Sequence, residues 1–300
     1  MSIRKSPLLW TASLAAVAAG SLSACGEPAG DDEASTGETA QASDASSQAD
    51  QRAEAALAGE GGGEGGGEGG EAGGEFGIDP EVAAEDPVVY LSAVEVMRAH
   101  YLAGLAALRA GDRAAASEMF AHPVSEIYVD FEPVATERGA PSAMEAMNEA
   151  AVLHFQDASD EEIRNAVQRV LELLDETEAA APAPRTSEAQ VDAEVILDLA
   201  DRAALQYALA MEDRANEEAW LDAFGFNAAL QFYARRRSEG MIESMPDLGR
   251  PVSDLLVTLE TALGDYDGPE ESGPTPEAVA ASVEAYRNVL LPEGDEATAP

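Results

Sequence analysis

The heptapeptide Phe-Ala-His-Pro-Val-Ser-Glu, residues 120–126, sets His122 four positions before Glu126. Positions four apart are neighbours on a helix, so this spacing offers an imidazole and a carboxylate on one face. That pair is donor chemistry for a transition metal. If His100, on the preceding predicted helix, packs opposite, it supplies a third ligand. Two histidines and a carboxylate suit zinc, or iron with open coordination positions. Tyr128 adds a phenol oxygen to the same stretch. The cofactor expected from His100, His122 and Glu126 is therefore iron, zinc or haem.

Pro123 supports a different reading. The residue before a proline favours extended backbone. That would set His122 at a helix cap and Glu126 in the first turn, where the helix dipole favours a carboxylate. His100 is then a hydrogen-bonded interior histidine. The sequence leaves both readings open. His154, the remaining histidine of three, stands near a helix end before Gln156 and Asp157 and is not part of the candidate set.

Other chemistry finds little footing. There is no G-x-S-x-G, no H-E-x-x-H, no P-loop and no dinucleotide fingerprint. Catalytic activity is not expected. Among 58 carboxylates some pairing is inevitable. The best second-choice polar pair is Glu218 and Asp222, four apart beside Trp220. A formal net charge of −41 repels nucleic acid and anionic lipid and draws cations to the surface.

The elements that must carry these residues read as an all-α helical bundle of about seven to eight helices, spanning residues 78–300. Strand-like alternation is nearly absent, and Ala, Leu, Glu and Arg dominate. Asp86-Pro87 opens the first helix, whose stripe is Val94, Met97, Tyr101, Leu105 and Leu108. Gly111-Asp112 ends it and caps the next, which runs to about Phe120. Further helices begin near Ser142 and at Ser159-Asp160, then run over about 187–214, 216–237, 250–264 and 276–291. Val191, Val195, Leu199 and Leu205 line one side of the fifth. Trp220, Phe224, Phe226, Leu230 and Tyr233 cover more than one face of the sixth, which makes it central. Arg235, Arg236 and Arg237 are expected at its C-terminal end, where the dipole favours cations.

Residues 25–77 cannot build a core. Between 26 and 77 they include thirteen acidic residues and the single basic Arg52, closing in a Gly/Glu run. Low hydropathy with like charge predicts a disordered tether, with a mean span of ~40 Å as a flexible coil. Ahead of it, Arg4 and Lys5 precede an apolar stretch, 8–19, too short to span a bilayer. Then comes Leu22-Ser23-Ala24-Cys25, holding the only cysteine.

This segment resembles the lipobox of bacterial lipoproteins. The resemblance implies a signal peptide over 1–24, cleavage before Cys25 and acylation of its thiol, so that the partner is a membrane reached through a lipid anchor. No aspartate follows the cysteine, which by the same resemblance points to the outer membrane, facing the periplasm. Within the domain, residues 97–128 (Met-Arg-Ala-His through His-Pro-Val-Ser-Glu-Ile-Tyr) and 207–226 (ending Asp-Ala-Phe-Gly-Phe) resemble a group of bacterial envelope proteins of helical fold. A more distant likeness is to imelysin-type periplasmic bundles, which are linked to iron uptake through a G-x-H-x-x-E motif. Here no glutamate stands three residues after His100. Two functions are thus expected in turn. One is a lipoprotein binding a metal ion, haem or small ligand as an accessory to uptake. The other is a non-catalytic scaffold meeting another envelope protein.

Overall fold

The computed structural model describes residues 78–268 and 273–292. The expected signal peptide, Cys25 and the Gly/Glu-rich stretch lie outside the described residues. The described part is all-α: a single turn, Pro80–Ala83, and nine longer helices. They are α1 (Pro87–Ala110), α2 (Arg113–Pro123), α3 (Val129–Glu137), α4 (Met144–Val152), α5 (Asp160–Glu178), α6 (Glu188–Glu212), α7 (Glu217–Ser244), α8 (Gly249–Leu263) and α9 (Pro276–Leu290). No helix among the described residues is long and apolar enough to cross a membrane.

The helix starts follow local chemistry. Asp86 accepts from the Val88 N–H at 2.8 Å, with Pro87 at the first position. Ser159 and Glu162 form a reciprocal capping box at the start of α5. Ser187, Asn216 and Thr275 cap α6, α7 and α9 through their side chains.

α1 is the axis of the bundle. It packs against α2, α5, α6 and α7. α6 and α7 form the longest hairpin, which α8 and α9 cover. Tyr90, Val94, Met97, Leu199, Phe226 and Leu230 are all buried in one continuous core. Each such side chain contributes about 1.5–3 kcal/mol of burial. Leu205, expected inside, is instead 37 % exposed.

Two expectations are corrected. The first concerns Pro123, which does not begin a helix. It ends α2 in helical geometry, φ −58° and ψ −29°, and the chain continues through a π turn, Val124–Tyr128, into α3. A proline inside a helix lacks its N–H and crowds the carbonyl four residues back. The π turn follows directly after it. Thr136 Oγ1 gives its hydrogen bond to the Glu132 carbonyl at 2.8 Å beyond a second interior proline, Pro133. His122 is therefore a helical residue and not a cap.

The second correction concerns the arginine triplet. α7 runs on to Ser244, held by the buried Met241, so the triplet is not at a helix end. Arg236 and Arg237 instead reach inward to a charge network tying α1, α5, α6 and α7. Glu95 on α1 is fully buried and takes Arg98 Nε at 3.0 Å and Arg236 Nη2 at 3.2 Å. Glu178, at the end of α5, takes Arg236 Nη1 at 2.8 Å and Arg237 Nη2 at 2.6 Å. Asp192 on α6 accepts from the Tyr233 hydroxyl at 2.8 Å. Burial pushes the Glu95 carboxyl up to about 7, against the pull of Arg98. Burial also acts to raise Glu178, but hydrogen bonds and charge from Arg237 and Arg236 hold it below the usual carboxylate range.

Candidate metal centre

His100 lies on the face of α1 opposite solvent and is 2 % exposed. Its Nδ1 is 2.9 Å from the Val96 carbonyl, one turn back. A carbonyl oxygen can only accept, so Nδ1 carries the proton and donates. In the neutral ring this leaves Nε2 as the lone-pair nitrogen, the arrangement found in metal-ligating histidines. Nε2 faces α7, where Asp222 Oδ1 stands at 3.8 Å. His122 arrives from the last turn of α2, its ring 5.7 Å from that of His100 and nearly edge-on at 72°. One donor atom each from His100, His122 and Asp222 lies within 4.8 Å of the others. His122 Nδ1 is closed to solvent and meets no hydrogen-bond partner among the described residues.

Two glycines bring the three helices this close. Gly225 is three residues after Asp222, on the same face of α7. A Cβ at this position would stand 2.6 Å from the Ala99 carbonyl oxygen and 3.2 Å from the Ala103 Cβ. Without a side chain there, α7 lies directly on α1 and sets the Asp222 carboxylate against His100. Gly104, one turn after His100, does the same for α2. A Cβ there would be 2.3 Å from Phe120 Cε1. The Phe120 ring lies over α1 instead, stacked on Tyr101 at 5.9 Å, and His122 follows two residues on. Phe226 closes the cluster from α7, edge-on to His100 at 6.2 Å.

A neutral imidazole lone pair and a carboxylate repel one another. A positive charge between them, either a proton on Nε2 or a metal ion, reverses the sign. The 3.8 Å separation exceeds the 2.7–3.2 Å of an N–H···O bond. Two ligands of a tetrahedral zinc, each at about 2.0–2.2 Å, stand about 3.4 Å apart. The donors are thus slightly wide for an ion, and side-chain adjustment of about 1 Å closes the set.

Of the residues singled out from sequence, His100 and His122 come together. Glu126 sits in the π turn, half-buried with Oε2 enclosed, and is not one of the three converging donors. The carboxylate is Asp222, which the sequence offered only as a partner for the exposed Glu218. Tyr128 is occupied elsewhere, accepting from the Ala143 N–H that opens α4. His154 packs on Phe155 in the turn after α4, outside the group. The signal that could have found Asp222 is its offset of three from Gly225, since a glycine within a helix marks close approach by a neighbour. Comparison of the chain with protein-family models, with curated proteins and with solved structures finds no match.

Proposed function

We propose that this chain is a lipid-anchored protein of the bacterial cell envelope whose helical domain binds a transition-metal ion through His100, His122 and Asp222, as an accessory to metal uptake. One observation carries the reading: His100 Nε2, its tautomer set by the Val96 carbonyl, faces Asp222 within reach of His122. An N₂O donor set of borderline softness favours zinc or iron(II) over calcium or magnesium. The lipobox-like segment ending in Cys25 supports the anchor, and the Gly/Glu-rich stretch after it supports a spacer between membrane and domain.

Elemental analysis of the full chain, purified without a histidine tag, tests the metal. Near-stoichiometric zinc or iron is expected, lost in His122→Ala and Asp222→Asn. Absence of metal even after supply of both ions refutes it. The same 3.8 Å contact also suits a buried imidazolium–carboxylate pair in a cofactor-free scaffold. In that case chelator leaves the melting temperature unchanged, and an envelope partner is recovered by crosslinking. Mass spectrometry of the native protein tests the anchor: an acylated Cys25 N-terminus is expected, and an intact initiator methionine without acyl chains contradicts it.

A further inference from the structure

We infer that the centre accepts only a bare divalent transition-metal ion, closed to haem and to chelated iron, and that Gly225 is the positioning residue that sets its donor spacing. This rests on the metal-binding reading and narrows it. His100 and Asp222 are 2 % and 4 % exposed. The gap beside them, walled by Ala99, Leu221 and Phe226, has no room for a water molecule. Cofactor-sized ligands need about 300–1,000 Å³.

Cavities of that size do occur among the described residues, but not here. One of about 460 Å³ opens between Asp112, Trp220 and Tyr266. Another of about 440 Å³ lies beside Asp86 and Arg185. Neither is lined by His100, His122 or Asp222, so a planar macrocycle seated in either meets no histidine from the cluster. The only part of the centre with appreciable exposure is His122, which leaves an approach for an ion and none for a ring system.

The closure has an identifiable cause. Gly225 stands against the Ala99 carbonyl, and Ala99 is the residue before His100. Backbone is the least yielding neighbour a new methyl group could meet. Alanine at 225 must push α7 away from α1 or rotate it, and Asp222 moves with it. Gly240 offers a control on the same helix, because a Cβ there meets nothing within 4 Å.

The test uses the full chain in detergent with Zn²⁺, Co²⁺ and haem as separate probes. The wild-type protein is expected to bind one Zn²⁺ or Co²⁺ and to give no stoichiometric Soret band with haem. Gly225→Ala is expected to lose at least about tenfold in Zn²⁺ affinity, the range seen when the support of a ligand is disturbed. Its Co²⁺ complex should also lose the visible absorption of a low-coordinate site while the helical circular dichroism persists. Gly240→Ala should match wild type in all three. Equal affinities in the two glycine variants, or one haem bound per wild-type chain that Zn²⁺ displaces, overturns the inference and leaves metal binding standing. A wild-type protein that takes neither ion nor haem instead removes the underlying reading. The haem arm needs no variant, so the inference stays open to refutation even if Gly225→Ala does not fold.

Discussion

Helix α1 carries two buried polar clusters within two turns of each other, and they are built on opposite terms. Around Glu95 and Arg98 the chain brings its own cations: Glu95 and Glu178 each meet guanidinium groups at 2.6–3.2 Å, with Arg98 and Arg236 also lying over the Phe232 ring. Around His100 it brings two imidazoles and a carboxylate, all of them electron-pair donors once neutral or ionised. The first cluster is complete as a structural clamp across α1, α5, α6 and α7. The second has the donor composition from which metal binding is proposed. Burial alone does not distinguish them. The identity of the positive charge does.

The largest effect expected from this contrast is in the clamp. Arg98→Met leaves Glu95 without its nearest cation in a dry interior. Breaking one partner of such a pair costs about 3–5 kcal/mol, and denaturant unfolding should show a loss of that order. A loss below about 1 kcal/mol would mean that Glu95 becomes neutral at no cost.

Next is metal linkage at the second cluster. With free zinc at about a hundred times its dissociation constant, binding to the native state adds about 2.7 kcal/mol. Chelator should therefore lower the melting temperature of wild type but not of Asp222→Asn. Arg98→Met should still respond to zinc, since its lesion lies in the other cluster.

A pH dependence sharpens the account of the first cluster. The Glu95 carboxyl is raised from 4.5 to about 7 in the folded state. Between those values the native protein holds a proton that the unfolded chain has released, so this group's contribution to stability falls as pH rises from 4.5 to 7. The slope is at most about 1.4 kcal/mol per pH unit. Glu178, held low, acts in the opposite sense: its contribution is present above the ordinary carboxylate range and is lost as pH falls through its folded value. Stability of wild type relative to Glu95→Gln, measured across that window, should therefore decline with rising pH. A flat or rising difference contradicts the assignment. The smallest effect is expected at the surface. Arg185 and Glu85 pair at 2.9 Å but are 78 % and 75 % exposed, so Arg185→Ala should cost no more than about 0.5 kcal/mol.

Local chemistry made much of the fold legible. Asp86-Pro87, Gly111-Asp112, Ser159 and Pro276 each mark a boundary by the local chemistry of the helix end, and those boundaries hold. Pro123 misled because its local preference was outweighed: Phe120, Val124, Ile127 and Tyr128 all bury apolar surface as the chain continues in helical geometry through a π turn into α3. The arginine triplet misled for a related reason. Its partners Glu95, Glu178 and Asp192 stand 141, 58 and 45 residues from the arginines they meet, and no local pattern announces a pairing at that range. The candidate site was half legible. His100 and His122 are few enough to notice, whereas Asp222 is one carboxylate among 58, selected only by the fit of Gly225 against α1.

The most direct test of the central reading is a calorimetric zinc titration of the metal-free full chain beside Asp222→Asn and His122→Ala. The expected result is one tight site in wild type and none at the same affinity in either variant, with all three equally helical. A wild-type isotherm indistinguishable from those of the variants would show that the two imidazoles and the carboxylate of this centre hold no ion.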